Sequence, residues 1–491
     1  MNEEYEKRWY AGMFSTEDWW AFWLGMFFVM LGIIASLTHI DLVGWIVKFS
    51  KWVDISKAFK ASHSEVMSPA VSLITTYLIL LITTTVGAAT MRWNLRKYVS
   101  AFTIVFWITV ISYIVGQNAY IAATEFDRPK YGIDWSLSLG GAFYIIALVV
   151  GLIIGNLAPK GFREFIKEGA KPEWFIKVAI VMLGAKLGYL AIKSFGFAMH
   201  LLIAGASATV AAYLLFWPLA YTISRRLFKL SREWSACFAS GISICGVSAA
   251  IATAGAIKAR PIVPVMVSVL VVVFALIELI VLPGILVTFW FHEPIAAGAS
   301  LGLTVKTDGA DAAAGAILDE LMRSRAALEL GEQWEEGWIL AAAVNTKIWI
   351  DMFIGFWAFI LAVIWVYYFE RRSGEKVQKM EIWWRFPKFV MGYFLAMLFV
   401  LYIGLNMFPD VDTAYKSMTF GIKPVEGALR KLFFMLTFTS IGIVTDFRLL
   451  KKEGLTKLAV CYAFVLIAII IPLGWFIAWL YHMGMQPVVK P

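Results

Sequence analysis

The chain has 491 residues, of which 60% are hydrophobic and 16% charged, with 22 Trp and 37 Phe. Water-soluble domains do not carry that balance, so the composition excludes a soluble enzyme and predicts an all-α polytopic membrane protein. The formal charge of +9 sits in short loops between apolar runs, where membrane topology explains it and nucleic acid is excluded as a partner.

A hydrocarbon core about 30 Å thick takes roughly 20 apolar residues per helix. Such runs fall at 19–40, 69–91, 100–123, 137–157, 175–192, 200–224, 236–257, 262–290, 300–317, 338–369, 386–407, 430–447 and 457–481, about 13 segments in all. The N-terminus "MNEEYEKRWY" opens with acids instead of a basic region, which predicts a retained first helix and no cleaved signal peptide. Stretch 41–68 has too many lysines to span. Its Trp45, Phe49, Trp52 and Val53 recur at helical spacing, which predicts an amphipathic helix on the outer surface.

Lys and Arg concentrate at 92–97, 159–171, 225–232, 370–388 and 448–457. With all the segments counted as crossings, these loops share one side, and the positive-inside rule makes that side cytoplasmic. The N-terminus is then inside and the C-terminus outside, as expected of a multi-pass protein of the cytoplasmic (inner) membrane. The acid-bearing loops 123–136, 318–337 and 408–428 face outward. Cys237, Cys245 and Cys461 show no metal-ligand spacing. No phosphate-binding loop or paired histidine occurs, so neither an enzyme nor a cofactor is expected.

Two segments are too polar for lipid. "GISICGVSAAIATAG" (241–255) carries glycines and hydroxyls, and "SLGLTVKTDGADAAAGAI" (300–317) carries Lys306, Asp308 and Asp311. A helix interrupted by such residues persists only where it is buried in protein or lines a water-filled cavity. A mid-membrane break exposes N–H groups at one half-helix and carbonyls at the other, which attract an anion and a cation respectively. Close packing of two intact helices through small residues is the alternative for 241–255, and an external loop is the alternative for 300–317. Among other charges within spans, Lys347 and Asp351 share a helix face and read as a structural ion pair. Glu278 reads either as a proton carrier or as a residue bonded to a neighbouring helix.

The chain also resembles itself. "LGAKLGYLAIKSFG" (183–196) and "IGIVTDFRLLKKEG" (441–454) align without a gap, matching Gly184 to Gly442, Tyr189 to Phe447, Lys193 to Lys451 and Gly196 to Gly454. The charge assignment runs the first copy outward and the second inward, as in the inverted repeats of secondary transporters.

Taken in order, "SICGVSA" (243–249), "VKTDGADAAAG" (305–315), "VNTKIWID" (344–351) and "IGIVTDFRLLKKEG" (441–454) resemble the sulfate-exporter family of the YeiH type, with a likeness over roughly 135–481. The resemblance implies an inverted-repeat transporter core related to the bile-acid symporter and sodium/proton antiporter folds, with 236–257 and 300–317 as two broken crossing helices. Where that family carries a His in the second motif this chain has Lys306, and Asp308 and Asp311 are added acids.

The resulting expectation has three parts: extra membrane helices and the interfacial helix at 1–134, the transporter core at 135–481, and a tail at 482–491. The core is expected to be a secondary active transporter of a small anion (sulfate, a sulfonate or a carboxylate) working by alternating access. Ser243, Cys245, Gly246, Ser248, Lys306, Thr307 and Gly309 would bind the anion. Asp308, Asp311 and Glu278 are the candidates for Na⁺ or H⁺ coupling, because bare carboxylates beside a dianion need a compensating cation. Na⁺ is the one metal ion this reading leaves open. Membrane lipid is the other expected partner, and a homodimer is left open. The competing reading is a membrane-embedded sensor or accessory subunit without transport activity.

Overall fold

The computed structural model describes residues 10, 12–63, 67–369, 381–448 and 455–490. In chain order its main helices are α1 (Glu17–Thr38), α2 (Pro69–Thr90), α3 (Leu95–Gly116), α4 (Ala142–Leu157), α5 (Pro172–Ala191) and α6 (Phe195–Arg226). The short pair α7 (Arg232–Ser243) and α8 (Gly246–Ala256) follows, then α9 (Ile262–Phe289) and a second pair, α10 (Pro294–Thr304) and α11 (Asp308–Glu329). The last four are α12 (Trp338–Tyr368), α13 (Lys388–Asn406), α14 (Val411–Val444) and α15 (Thr456–His482). Among the described residues, ten helices are long and apolar enough to cross a membrane, and α4 is a shorter apolar one. The chain is therefore a polytopic all-α membrane protein.

Both polar segments are broken, as their composition requires. Ile244 and Cys245 leave helical geometry at φ −113°, ψ −119° and φ −112°, ψ 91°. Val305 and Thr307 adopt extended geometry between α10 and α11. Neither pair runs through the bundle; each doubles back. Arg260, just beyond α8, bonds Glu233 at the start of α7 with Nε 3.1 Å from Oε2, which two helices in line could not do at 1.5 Å rise per residue. Likewise Arg325, late in α11, reaches Val287 O before α10 at 2.6 Å and lies 4.3 Å from the Phe291 ring centroid.

The 13 predicted segments thus resolve into through-going helices plus two re-entrant hairpins. The physical cause is local. Lys258 and Arg260 directly follow α8, and basic residues hold a chain end on the face where the other basic loops lie. Two hairpins leave the sidedness of every loop after the second one unchanged. The connection around 257–261 moves to the basic face, and the one around 290–293 moves to the opposite face.

Helix pairing reveals a two-fold pattern. Helix α5 packs on α13 where a Cβ at Gly184 or Gly188 would come within 2.1 Å of Tyr393 O or 2.4 Å of Met397 O. Helix α14 packs on α4 in the same way, Gly442 against Leu148 O and Gly151 and Gly155 against Thr439 O and Ile443 O. Such backbone-to-backbone contact is open only to glycine. Gly184 and Gly442, matched in the self-alignment, therefore play the same part. Their helices run antiparallel, since Lys186 near the end of α5 meets Glu426 in the middle of α14, while Ile176 near the start of α5 lies with Thr437 and Ile441 of late α14 around Gly309. The matched Lys451 and Gly454 lie outside the described residues. The pattern extends to α6 on α7 and α15 on α10, but in the second set the hairpin precedes the scaffold helices instead of following them.

Two expectations are corrected. Stretch 41–68 is not an amphipathic helix: Val47–Phe49 (β1) pairs antiparallel with Phe59–Ala61 (β2). Val47 and Phe49 are buried and Lys48 between them exposed, a period of two that the helical spacing of Trp45, Phe49, Trp52 and Val53 concealed. The outer loops expected at 318–337 and 408–428 are both mostly helix: α11 carries on to Glu329, and "VDTAYKSMTFGIK" is amphipathic and lays Ala414, Met418 and Ile422 on the bundle. The N-terminal helices are built into the scaffold, α1 against α5 and α14 and α3 against α4, with Thr109 Oγ1 bonded to Thr439 Oγ1 at 2.9 Å.

Candidate functional site

The hairpins enter from opposite faces and meet tip to tip. A Cβ on Gly246 would lie 2.6 Å from Lys306 O and 2.1 Å from Val271 Cγ1, so the two turns touch through their backbones. One side chain from α12 ties them together. Lys347 Nζ donates to Ile244 O at 3.0 Å and to Val305 O at 3.3 Å, the carbonyls that end α7 and α10. A cation there also faces the negative ends of two helix dipoles.

The N-terminal ends of α8 and α11 meet at the same place and favour negative charge. Cys245 caps α8 and Asp308 begins α11, with Cys245 Sγ bonded to Asp308 Oδ1 at 3.2 Å. Asp351, one helical turn beyond Lys347, completes the group. One ligand atom from each of Cys245, Asp308 and Asp351 lies within 4.8 Å of the others, and all three residues are buried. Neither Asp351 oxygen has a hydrogen-bond partner. A thiol and two carboxyls so placed can share a proton or hold a cation; they suit Na⁺ less by softness than by charge.

A cavity of about 450 Å³ reaches this cluster from the basic face, lined by Cys245, Ser248, Asp308 and Asp351 at depth and by Lys177 and Arg385 nearer the mouth. Of the residues expected to bind the anion, Cys245 and Ser248 line it. Gly246 faces the other tip instead. Ser243 is buried with its hydroxyl unpartnered. Lys306 turns away, donating to Leu303 O and lying 5.0 Å from the Phe216 ring centroid. Thr307 caps α11 by accepting from Ala310 N at 3.3 Å, and Gly309 packs toward Ile441 and Thr437 of α14.

Among the proposed coupling residues, Asp308 is in the cluster. Asp311 and Glu278 are buried with both oxygens unpartnered and lie within electrostatic reach of Lys306 and Lys347. The Lys347–Asp351 ion pair does not form, because Lys347 is drawn to the two tip carbonyls. Four carboxyls (Glu278, Asp308, Asp311, Asp351) thus face two ammonium groups in this buried region. Sequence reasoning missed the tying role of Lys347 and the place of Asp351 in the cluster. The available signal was that both charges sit mid-span.

The known relatives share this chain's membrane character. A UPF0324 membrane protein of Nitrosomonas europaea is 50% identical over 488 residues, covering 98% of this chain and 99% of that one. A UPF0324 membrane protein of Rhodopirellula baltica is 31% identical over 364 residues, 72% of this chain and 58% of the relative. One from Nitratidesulfovibrio vulgaris is 28% identical over 406 residues, 82% and 63% respectively. These descriptions name a membrane protein and no substrate. No solved structure matches the chain significantly. The family model described as Conserved hypothetical protein 698 matches residues 134–461, the part that holds both hairpins and the scaffold pairs, and the chain belongs to that family.

Proposed function

We propose that this protein is a secondary active transporter of a small anion, coupled to H⁺ or Na⁺, with its basic face cytoplasmic, its N-terminus inside and its C-terminus outside. The observation that carries the reading is the pair of opposed hairpins whose tips enclose Cys245, Asp308 and Asp351 at the end of a cavity open to one face. Discontinuous helices meeting in mid-bundle are how transporters present helix ends to a substrate and its coupling ion.

In this reading the anion lies in the 450 Å³ cavity against Ser248 and the free amides of the first turn of α8. The cation or proton sits among Asp308, Asp351 and Cys245. Two bare carboxylates about 4 Å apart repel by about 4 kcal/mol at an effective dielectric near 20. An anion added beside them meets the same sign, so occupancy of the cluster by H⁺ or Na⁺ is what admits it. The resemblance to sulfate exporters makes sulfate the first anion to test, followed by sulfonates and carboxylates.

Uptake into vesicles reconstituted with the purified protein, measured for each anion with imposed Na⁺ and H⁺ gradients, is the test. Accumulation of one anion class that follows one of the gradients is expected. Absence of uptake for every anion, together with a melting temperature indifferent to anions and cations, would establish the sensor or accessory-subunit reading instead.

A further inference from the structure

On the face opposite the tip cavity, a second cavity of about 650 Å³ opens between the α11 arm, α5, α14 and the outer segments around β1. Eight Lys and Arg line it against four Asp and Glu. Every acid near it is already engaged. Asp127 and Glu320 pair with Lys51 at 2.8 and 2.7 Å, Asp319 with Arg323 at 2.8 Å and with the amides that open α12, and Glu336 with Lys431 at 2.9 Å. Glu426, just behind, takes Lys186 at 3.2 Å. Positive charge is left over.

Two residues show the surplus most clearly. Arg430, 1% exposed, lines the cavity, and its Nη1 has no hydrogen-bond partner. The other guanidinium nitrogens turn to Glu426, and the group lies over the Phe434 ring. A π-helical stretch at Pro424–Leu429 immediately precedes it, a distortion that frequently marks functional positions. At the mouth, Lys48 on β1 lines this cavity and an adjoining one that shares Lys186, Glu336 and Lys431 with it. Partial desolvation at the cavity wall first, and then the charges of Lys423, Lys431 and Lys60, push its ammonium below the ordinary lysine value. A buried donor such as Arg430 Nη1, left without an acceptor, is costly unless a ligand completes it.

We propose that this vestibule binds a small multivalent anion, with Arg430 as the deep anchor and Lys48 at the mouth. The inference rests on the anion-transport reading only for the identity of the ligand. The site itself is carried by the surplus charge and the unpartnered guanidinium nitrogen. It is distinct from the hairpin tips: along α11, Asp319 lies eleven residues beyond Asp308, roughly 16 Å. An exposed field of one sign also raises the local concentration of its counter-ion and the rate of capture.

The test is binding of sulfate and of succinate to the full chain in nanodiscs of neutral phosphatidylcholine, which removes anionic headgroups as a source of the signal. Titration calorimetry on the wild type, Lys48→Gln, Arg430→Gln and Asp308→Asn supplies the readout. Lys48→Gln is expected to weaken the dianion about threefold and Arg430→Gln tenfold or more, while Asp308→Asn leaves this site intact. Wild-type affinity should fall with added salt. If Arg430→Gln does not fold, Lys48→Gln and Lys48→Arg decide, the arginine variant retaining affinity. Unchanged binding in the Lys48 and Arg430 variants, loss confined to Asp308→Asn, or no dianion binding at all overturns the proposal. The first two outcomes leave transport through the tip site untouched. Binding that follows Lys48 and Arg430 in a protein that transports nothing supports the vestibule and defeats the transport reading alone.

Discussion

Replacing Lys347 with Met removes the α12 side chain that bonds the carbonyls of both hairpin tips. Its ammonium makes two bonds to carbonyls, at 3.0 and 3.3 Å, and bonds of a charged donor contribute about 1.5–3 kcal/mol each. The residue is 1% exposed, so relief of the desolvated charge offsets part of that sum. Against this, Ile244 O and Val305 O would be left in a dry interior, and the acids nearby would lose a cation. Breaking a buried charged network from one side costs about 3–5 kcal/mol, and Lys347→Met is expected in that range. Because one ammonium serves both tips, hydrogen exchange should rise together at residues 246–249 and 308–311 while the α4–α14 and α5–α13 pairs stay protected. Lys306→Met is the control: Lys306 bonds a carbonyl in its own turn and should loosen only the second tip. Exchange that rises at one tip alone in Lys347→Met, or at neither, refutes the tie.

Asp308→Asn and Asp351→Asn are each expected to weaken the cation dependence of anion uptake more than anion affinity at saturating cation; equal losses in both would remove the cluster from coupling. Gly246→Val, whose Cβ would meet Val271 Cγ1 at 2.1 Å and Lys306 O at 2.6 Å, should lower thermal stability along with transport, and a fully stable variant would contradict the tip contact. In the segment before α4, burial alone would raise the Asp127 carboxyl, but the bonds and charges of Lys51 and Lys130 outweigh it and hold the group below its ordinary value. That stabilisation is present above the unfolded value of about 3.9 and is lost as pH falls through the lower folded value. Protease protection of 117–141 should therefore drop below about pH 4 in the wild type, and Asp127→Asn should flatten the profile in that window.

Much of this was legible in the sequence because lipid imposes one rule on every span. Gly241, Ser243, Gly246 and Ser248 mark a backbone that cannot face hydrocarbon, and the break between Ser243 and Gly246 lies where they cluster. What periodicity could not reveal is direction after a break. Whether α8 continues α7 or returns beside it depends on contacts such as Arg260 with Glu233, 27 residues apart. The repeat was visible only where α5 and α14 use glycine alike. Beyond that stretch the second set is permuted, so an offset that aligns Gly184 with Gly442 cannot also align the two tips. Strand β1 was hidden because Trp45, Phe49 and Trp52 satisfy a helical period by coincidence. Lys347 and Asp351 looked like a pair because a helix face was the only neighbour the sequence offers.

The two cavities are separated by one arm. At its start α11 closes the chamber open to the basic face through Asp308, and about three turns later Asp319, Glu320 and Arg323 line the vestibule on the other face. The eight residues after Asp308 are "GADAAAGA" (309–316), with no side chain larger than a methyl except Asp311, before Ile317 and Leu318 complete the stretch. The opposing scaffold is locked, since Gly151, Gly155, Gly184 and Gly188 bring main chains into contact and any shift there would drive backbone into backbone. Interdigitated side chains resist sliding, whereas a smooth arm against a rigid frame permits shear, so under the transport reading the moving contact is α11 on α14. Gly309→Val tests this. A Cβ there lies 3.2 Å from Ile441 Cδ1 and 3.4 Å from Thr437 Cγ2, the ends of side chains that can yield, so the fold should survive. The added methyl groups would catch on α14, slowing uptake several-fold with anion affinity unchanged. A variant that transports at the wild-type rate would move the sliding surface elsewhere, and one that loses affinity and rate together would make Gly309 part of the binding site.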